Sequence, residues 1–205
     1  YYSIDINRYY FSSKGNYYNY LLRAGAYWKT GTAEDANILM SMNYFSRLKK
    51  LSNHWNQRSY INASFTTQFN TYLNGPLLLT GIYGLPFFSN TAVSNANARA
   101  TLTEETVFFN STAIVGFKFA PFIGGNICLL KTYGKSIIKS DGYTSITGGI
   151  RSRNENLIFG TMELRFSYFP RTTADMMPFR IDFTTNLQFK YNSQFVNKPN
   201  FIIVN

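Results

Sequence analysis

Phe179-Arg180-Ile181-Asp182-Phe183-Thr184-Thr185-Asn186-Leu187-Gln188-Phe189-Lys190-Tyr191 alternates from end to end. Phe179, Ile181, Phe183, Thr185, Leu187, Phe189 and Tyr191 fall on one side of an extended chain, and Arg180, Asp182, Thr184, Asn186, Gln188 and Lys190 on the other. Successive side chains of a strand leave in opposite directions, so this period of two predicts a β-strand with one apolar and one polar face. At about 3.3 Å per residue the run is roughly 40 Å long, more than a soluble strand ordinarily needs and suited to one tilted across a bilayer.

The same pattern recurs toward the amino terminus. In 161–169, Met162, Leu164, Phe166 and Tyr168 oppose Thr161, Glu163, Arg165 and Ser167; in 60–70, Ile61, Ala63, Phe65, Thr67 and Phe69 oppose Tyr60, Asn62, Ser64, Thr66, Gln68 and Asn70. Weaker alternation marks 4–11, 17–29, 36–46, 97–109, 112–123 and 143–155, separated by turn-forming stretches such as Ser12-Ser13-Lys14-Gly15-Asn16. The chain therefore predicts an all-β, antiparallel protein of about nine strands, laid out as a transmembrane β-barrel. Residues 1–191 form its barrel part, and the tail 192–205 has no assigned place. The interval 72–96, with Gly75-Pro76, Gly81 and Gly84-Leu85-Pro86, lacks strand period and reads as one long loop; loops of that length are usually functional.

Composition narrows the chemistry. Sixteen Tyr and nineteen Phe against two Trp favour pleated surfaces. Twenty Lys and Arg stand against ten Asp and Glu, but they are scattered, with no stripe of the kind a nucleic-acid backbone needs, so no nucleic acid is expected as partner. Lys49-Lys50 is the one adjacent basic pair and fits a solvated turn; excess positive charge of this kind also suits an anionic lipid surface or the lumen of a polar pore. His54 and Cys128 are each the single residue of their type, which argues against a His-based metal site, a Ser–His nucleophile and an internal disulfide; no cofactor is expected. Cys128, in Asn-Ile-Cys-Leu-Leu, reads as a small buried hydrophobe. Glu163 and Arg165 leave the same side of one strand about 7 Å apart, and with Arg180 and Asp182 read as lumen-facing charges rather than as a catalytic pair. No enzyme activity is expected.

Gly148-Gly149-Ile150-Arg151-Ser152-Arg153-Asn154-Glu155-Asn156-Leu157-Ile158-Phe159, followed by Met162-Glu163-Leu164-Arg165-Phe166-Ser167-Tyr168-Phe169-Pro170, resembles a Gly-rich third-from-last strand, a tight turn and a penultimate strand of the BamA/TamA superfamily, the bacterial surface antigen proteins. Leu102-Thr103-Glu104-Glu105-Thr106-Val107-Phe108-Phe109 is similar to the family's glutamate-bearing strand, and Gly116-Phe117-Lys118-Phe119-Ala120-Pro121-Phe122 to the strand after it; the likeness runs in order from about residue 40 to 191. It implies a sixteen-stranded barrel in a bacterial outer membrane, of which this chain holds the eighth to sixteenth strands. The remaining seven are expected upstream or from a partner, since half a barrel leaves edges that lipid does not tolerate.

The resemblance also implies a long loop folded into the lumen, whose arginine reaches carboxylates on the wall. Ile82-Tyr83-Gly84-Leu85 occupies the equivalent place, with Tyr83 where the arginine is expected; Glu105 matches the family's glutamate, and Asn126 stands where an aspartate is expected. Both charges are lost together, so no charge is left unpaired. The loop is then expected to dock through a Tyr–carboxylate or Tyr–amide hydrogen bond worth about 1 kcal/mol, or up to about 3 with a charged acceptor. By the same resemblance Phe179, Ile181, Phe183, Leu187 and Phe189 belong to the seam strand, at which client strands enter the membrane. Expected partners are outer-membrane lipid and lipopolysaccharide, client β-barrel proteins, and other outer-membrane or periplasmic subunits. The competing expectations are a passive pore, anchor or scaffold barrel for partner subunits, and a membrane anchor for an upstream enzyme domain.

Overall fold

A computed structural model describes residues 2–29, 31–69, 77–80, 83–86, 88, 96–134, 139–154, 159–172 and 176–187. The chain forms β1 (Tyr2–Phe11), β2 (Tyr17–Lys29), β3 (Thr32–Phe45), β4 (Lys49–Lys50), β5 (Trp55–Phe69), β6 (Ala96–Asn110), β7 (Ala113–Ile114), β8 (Phe117–Thr132), β9 (Asp141–Arg153), β10 (Phe159–Tyr168) and β11 (Phe179–Leu187). All are joined in one antiparallel sheet. Its nine long strands follow chain order, β1-β2-β3-β5-β6-β8-β9-β10-β11, while the two-residue strands β4 and β7 extend the ends of hairpins on β5 and β8.

The register keeps the alternation in phase from strand to strand. Tyr168 lies opposite Phe179, Phe166 opposite Ile181 and Leu164 opposite Phe183; the same face continues through Ile150 and Ile146, Ile123 and Ile127, Leu102, Phe65, Met40, Leu22 and Ile6. One face is thus apolar across the whole sheet and the other polar. Arg8, opposite Tyr20, and Glu104 are charged exceptions on the apolar face, where Glu104 Oε1 accepts a 2.6 Å bond from Thr106 Oγ1.

The expected barrel is met at the level of a large antiparallel meander, but the sheet is open. Among the described strands β1 pairs only with β2 and β11 only with β10. Each antiparallel step reverses direction, and eight steps separate the two edges. β1 and β11 therefore run the same way, and an antiparallel ladder between them is not available.

Several strand limits differ from the sequence reading: β3 begins at Thr32 rather than at 36, and β5 at Trp55 rather than at 60. The strand expected over 112–123 is divided into β7 and a β8 that continues to Thr132. Gly124-Gly125-Asn126 masks its alternation, yet Gly124 is demanded by packing: a Cβ there would lie 2.6 Å from the Glu104 carbonyl oxygen. The run from 179 is described as a strand to Leu187; Gln188 to Tyr191 and the tail 192–205 lie outside the described residues.

Between Ile114 and Phe117 the chain reverses in two residues, Val115 (φ 51°) and Gly116 (φ 79°). Positive φ at both positions is the type I′ hairpin turn, which favours Asn-Gly because a β-branched residue there costs about 1–2 kcal/mol. Val115→Asn is therefore expected to stabilise the fold by about 1 kcal/mol, read as a higher denaturant midpoint at unchanged slope; no gain would show that the turn relaxes around valine.

Candidate functional site

The polar face carries three groups of side chains, and the first is the surface on which the long loop lies. Leu77, Leu79, Leu85 and Phe88 of the loop are buried together with Ala96 of β6, Cys128 and Leu130 of β8, Tyr143 of β9 and Phe169 just after β10. Phe88 meets Tyr143 and Phe169 edge-on, with ring centroids 5.6 and 5.5 Å apart. Cys128 is fully enclosed in this cluster as a small apolar group.

Polar contacts seat the loop main chain. Arg99, buried on β6, donates from Nη1 to the carbonyl oxygens of Leu78 and Thr80. Ser64 Oγ and Thr101 Oγ1 lie 3.2 and 3.0 Å from the Tyr83 carbonyl oxygen and within hydrogen-bond reach of each other; with one proton each, they either both donate to the carbonyl or one donates to it and the other to its neighbour's oxygen. Within the loop, Leu85 N–H donates to the Leu79 carbonyl oxygen at 2.8 Å. That closure brings the backbone at Gly84 so near that a Cβ would stand 2.3 Å from the Leu79 oxygen. Neutral hydrogen bonds are worth about 1 kcal/mol each, whereas burying four large apolar side chains is worth roughly 6–12 kcal/mol. Apolar burial supplies most of the docking energy, and the hydrogen bonds fix where the loop sits.

The second group, among the described residues, is a set of ion pairs between strands of the wall. Glu105 of β6 accepts from Arg151 Nη1 (2.6 Å) and Nη2 (2.9 Å) and from Arg165 Nη2 (3.0 Å); Glu163 of β10 accepts from Arg151 Nε (2.7 Å) and Arg165 Nε (2.6 Å). Both guanidinium groups stack on the Phe122 ring, 4.4 and 4.6 Å from its centroid. Phe122 lies over Gly149, where a Cβ would come within 2.8 Å of the ring. The glycine of the Gly148-Gly149 pair thus makes room for the aromatic base that supports two arginines.

The third group crosses β1, β2, β3 and β5. Asn62 Nδ2 donates to Asn43 Oδ1 (2.6 Å), Asn43 Nδ2 to Asn19 Oδ1 (3.0 Å) and Asn19 Nδ2 to Asn7 Oδ1 (2.8 Å), so four strands share one directed chain of amides. Beside it Arg23 holds Asp5 through two bonds, at 2.8 and 2.9 Å.

The sequence-derived site residues separate under this description. Leu85 and Gly84 are buried in the docked loop, and Tyr83 is held through its main-chain oxygen; Ile82 lies outside the described residues. Asn126 is buried and donates to Ser145 Oγ at 2.8 Å. Among the described residues no hydrogen bond joins Tyr83 to Glu105 or Asn126. Glu163 and Arg165 are directly paired, and Arg180 holds Asp182 at 2.7 Å within β11. Phe179, Ile181 and Phe183 stand exposed on the apolar face, Leu187 pairs through its backbone with Phe159, and Phe189 lies outside the described residues. Sequence reading missed Arg99, Phe122 and the asparagine row. Phe122 had a signal, an aromatic residue at a polar-face position, and so did the row, an asparagine at polar-face positions of successive strands.

The loop and the ion-pair set are separable. Arg99→Met leaves two carbonyl oxygens without their donor, at about 1–3 kcal/mol, and is expected to speed amide exchange over 77–88 about tenfold or more. Gly84→Ala is expected to release the loop altogether. Glu105→Gln is expected to lower global stability by about 1–3 kcal/mol while leaving loop exchange unchanged; faster loop exchange in Glu105→Gln would show that the carboxylate does bind the loop.

Comparison with family models, with curated proteins and with solved structures found no match to this chain, so the function rests on the chemistry of its own two faces.

Proposed function

We propose that the chain is the carboxy-terminal half of a BamA/TamA-type barrel of the bacterial outer membrane, which helps insert or translocate β-barrel proteins there. The observation that carries the membrane reading is the apolar face. Ile4, Met40, Phe65, Leu102, Ile123, Ile127, Ile146, Phe166, Ile181 and Phe183 are all exposed on it, in phase across eight of the nine long strands. A contiguous apolar surface of this extent has no stable place in water. Aromatic rings gather toward its two ends, with Tyr10, Tyr18 and Tyr20 at one and Tyr168 and Phe179 at the other, as in the girdles that flank the lipid-facing band of barrels.

Strand direction supports the half-barrel reading. Both edges run the same way, so a complement with an odd number of strands, such as the seven implied by the resemblance, gives each edge an antiparallel partner. The assembly reading is supported by the β11 edge, whose unpaired backbone is a template for an incoming strand. A docked loop on the polar face also agrees with it, although here the positive charge is on the wall, in Arg99, and the acceptors are loop carbonyls. A passive pore or scaffold is favoured by one observation: among the described residues the ion-pair set joins β6, β9 and β10 to one another.

Replacing a half-exposed isoleucine by arginine is nearly neutral on a soluble surface but costs about 2–4 kcal/mol near the middle of a bilayer. Ile127→Arg in the intact protein is expected to deplete it from the carbonate-resistant membrane fraction; unchanged integration would remove the membrane reading. Cysteines at Thr184 and Thr185 are expected to form disulfides with cysteine-bearing strands of a barrel protein during its assembly. Absence of such crosslinks, together with steady conductance in a planar bilayer, would decide for the passive barrel.

A further inference from the structure

Three connections at one end of the sheet are tied into a single surface. Arg47 N–H donates to Asn16 Oδ1 at 2.7 Å, which joins the 12–16 turn to the 46–54 connection. Ser111 donates from N and from Oγ to the His54 carbonyl oxygen, at 2.9 and 3.3 Å, which joins 46–54 to the 111–116 turn. The surface presents exposed Lys14, Arg47, Lys49 and Lys50, with no acidic side chain among its described residues. Among these cations stand Leu48 (57% exposed), Leu51 (53%), Ile114 (59%) and Val115 (89%).

Single exposed aliphatic residues are ordinary, but four at the tips of hydrogen-bonded turns, interleaved with four cations, are not scattered singles. Val115 adds an independent sign. The turn chemistry favours asparagine, and valine is kept at positive φ with its side chain almost wholly in the open; strain of this kind persists where the side chain has work to do. The surface lies at the end of the apolar face that carries the Tyr10 and Tyr18 rings. At the other end, the 70–95 segment contains no Asp, Glu, Lys or Arg.

We propose that this hairpin surface seats on the headgroup layer of an anionic phospholipid leaflet, its cations on lipid phosphates and Leu48, Leu51, Ile114 and Val115 in the acyl boundary. Basic residues beside short aliphatic ones are the chemistry that binds such a layer. An acidic protein would satisfy the cations but leaves the aliphatic tips unexplained. The proposal rests on the membrane reading above, and its test separates the two.

The chain's two tryptophans lie at opposite ends of the sheet, Trp55 beside the hairpin surface at the start of β5 and Trp28 near the end of β2. The intact protein is placed in mixed bilayers of phosphatidylcholine and phosphatidylglycerol, with bromine on the acyl chains of one lipid or the other, and the fluorescence of each of these two tryptophans is read with every other tryptophan replaced by phenylalanine. Trp55 is expected to be quenched more strongly by brominated phosphatidylglycerol than by brominated phosphatidylcholine. That preference is expected to fall about fivefold or more in Arg47→Glu/Lys49→Glu/Lys50→Glu and in high salt. Val115→Asn is expected to weaken quenching at Trp55 while stabilising the fold, which a purely structural turn residue would not do.

Equal quenching by the two lipids in the unaltered protein would overturn the proposal, and so would a preference that survives charge reversal. Loss of a co-purifying acidic protein on charge reversal, with lipid preference intact, would also overturn it. If only the membrane-spanning reading is wrong, the protein washes off the bilayer with carbonate and Trp28 is unquenched, yet Trp55 still shows the salt-sensitive preference for phosphatidylglycerol.

Discussion

Because neighbouring side chains of a strand leave on opposite faces, everything this sheet does depends on the register staying in phase across eight ladders. A slip of one residue in a single ladder would carry Phe166 or Ile181 to the polar face and Arg165 or Asp182 to the apolar one. The irregularities that do occur lie near strand ends, at Gly25/Tyr27, Ala96/Ala98 and Phe159/Thr161, so the strand centres keep one phase. Polar residues reinforce it. The asparagine row links the polar faces of β1, β2, β3 and β5, and the Glu105–Arg151–Glu163–Arg165 set links β6, β9 and β10. Each bond is satisfied only in the observed register, which makes these groups selectors of alignment as much as sources of stability.

The long loop and the ion-pair set divide the polar face by chemistry. Glu105 is engaged by two wall arginines, so a further cation on the loop would compete for a carboxylate that is already paired. With tyrosine at position 83, the loop offers its main-chain oxygen to two hydroxyl groups, and its leucines and Phe88 carry the burial. Arg99 reaches from the wall to the loop carbonyls of Leu78 and Thr80. Because the loop's acceptors are neutral carbonyl oxygens, its docking depends little on salt, whereas a loop arginine on a wall carboxylate would weaken as ionic strength rises.

The strands were legible because alternation is a local property: 60–70, 161–169 and 179–187 can be read from side chains alone. The boundary of β8 was not, because Gly124-Gly125-Asn126 carries no apolar alternation and Gly124 is required by a neighbouring strand's carbonyl. The same distinction holds at the site. Glu105, Glu163 and Arg165 could be assigned to the polar face by period, but their closure through Arg151 and Phe122 depends on which residues of four strands come level, and that depends on register. Gly84 could be marked as a turn former, while the contact that demands it is with Leu79, five residues earlier in a loop with no periodicity to read.

Depth in a bilayer needs more than an apolar face. A face apolar along its whole length can slide relative to the membrane with little penalty, because raising one end out of hydrocarbon lowers the other into it. Position is fixed by groups that prefer the boundary, aromatic rings and snorkelling cations above all. Here both edge strands run toward the hairpin end, so the carboxy-terminal ends of β1 and β11 lie at that end of the sheet. A cationic and aliphatic hairpin surface is a group of that kind, and if it seats on phosphates as proposed above, it sets the depth of that end of both edges with respect to the leaflet.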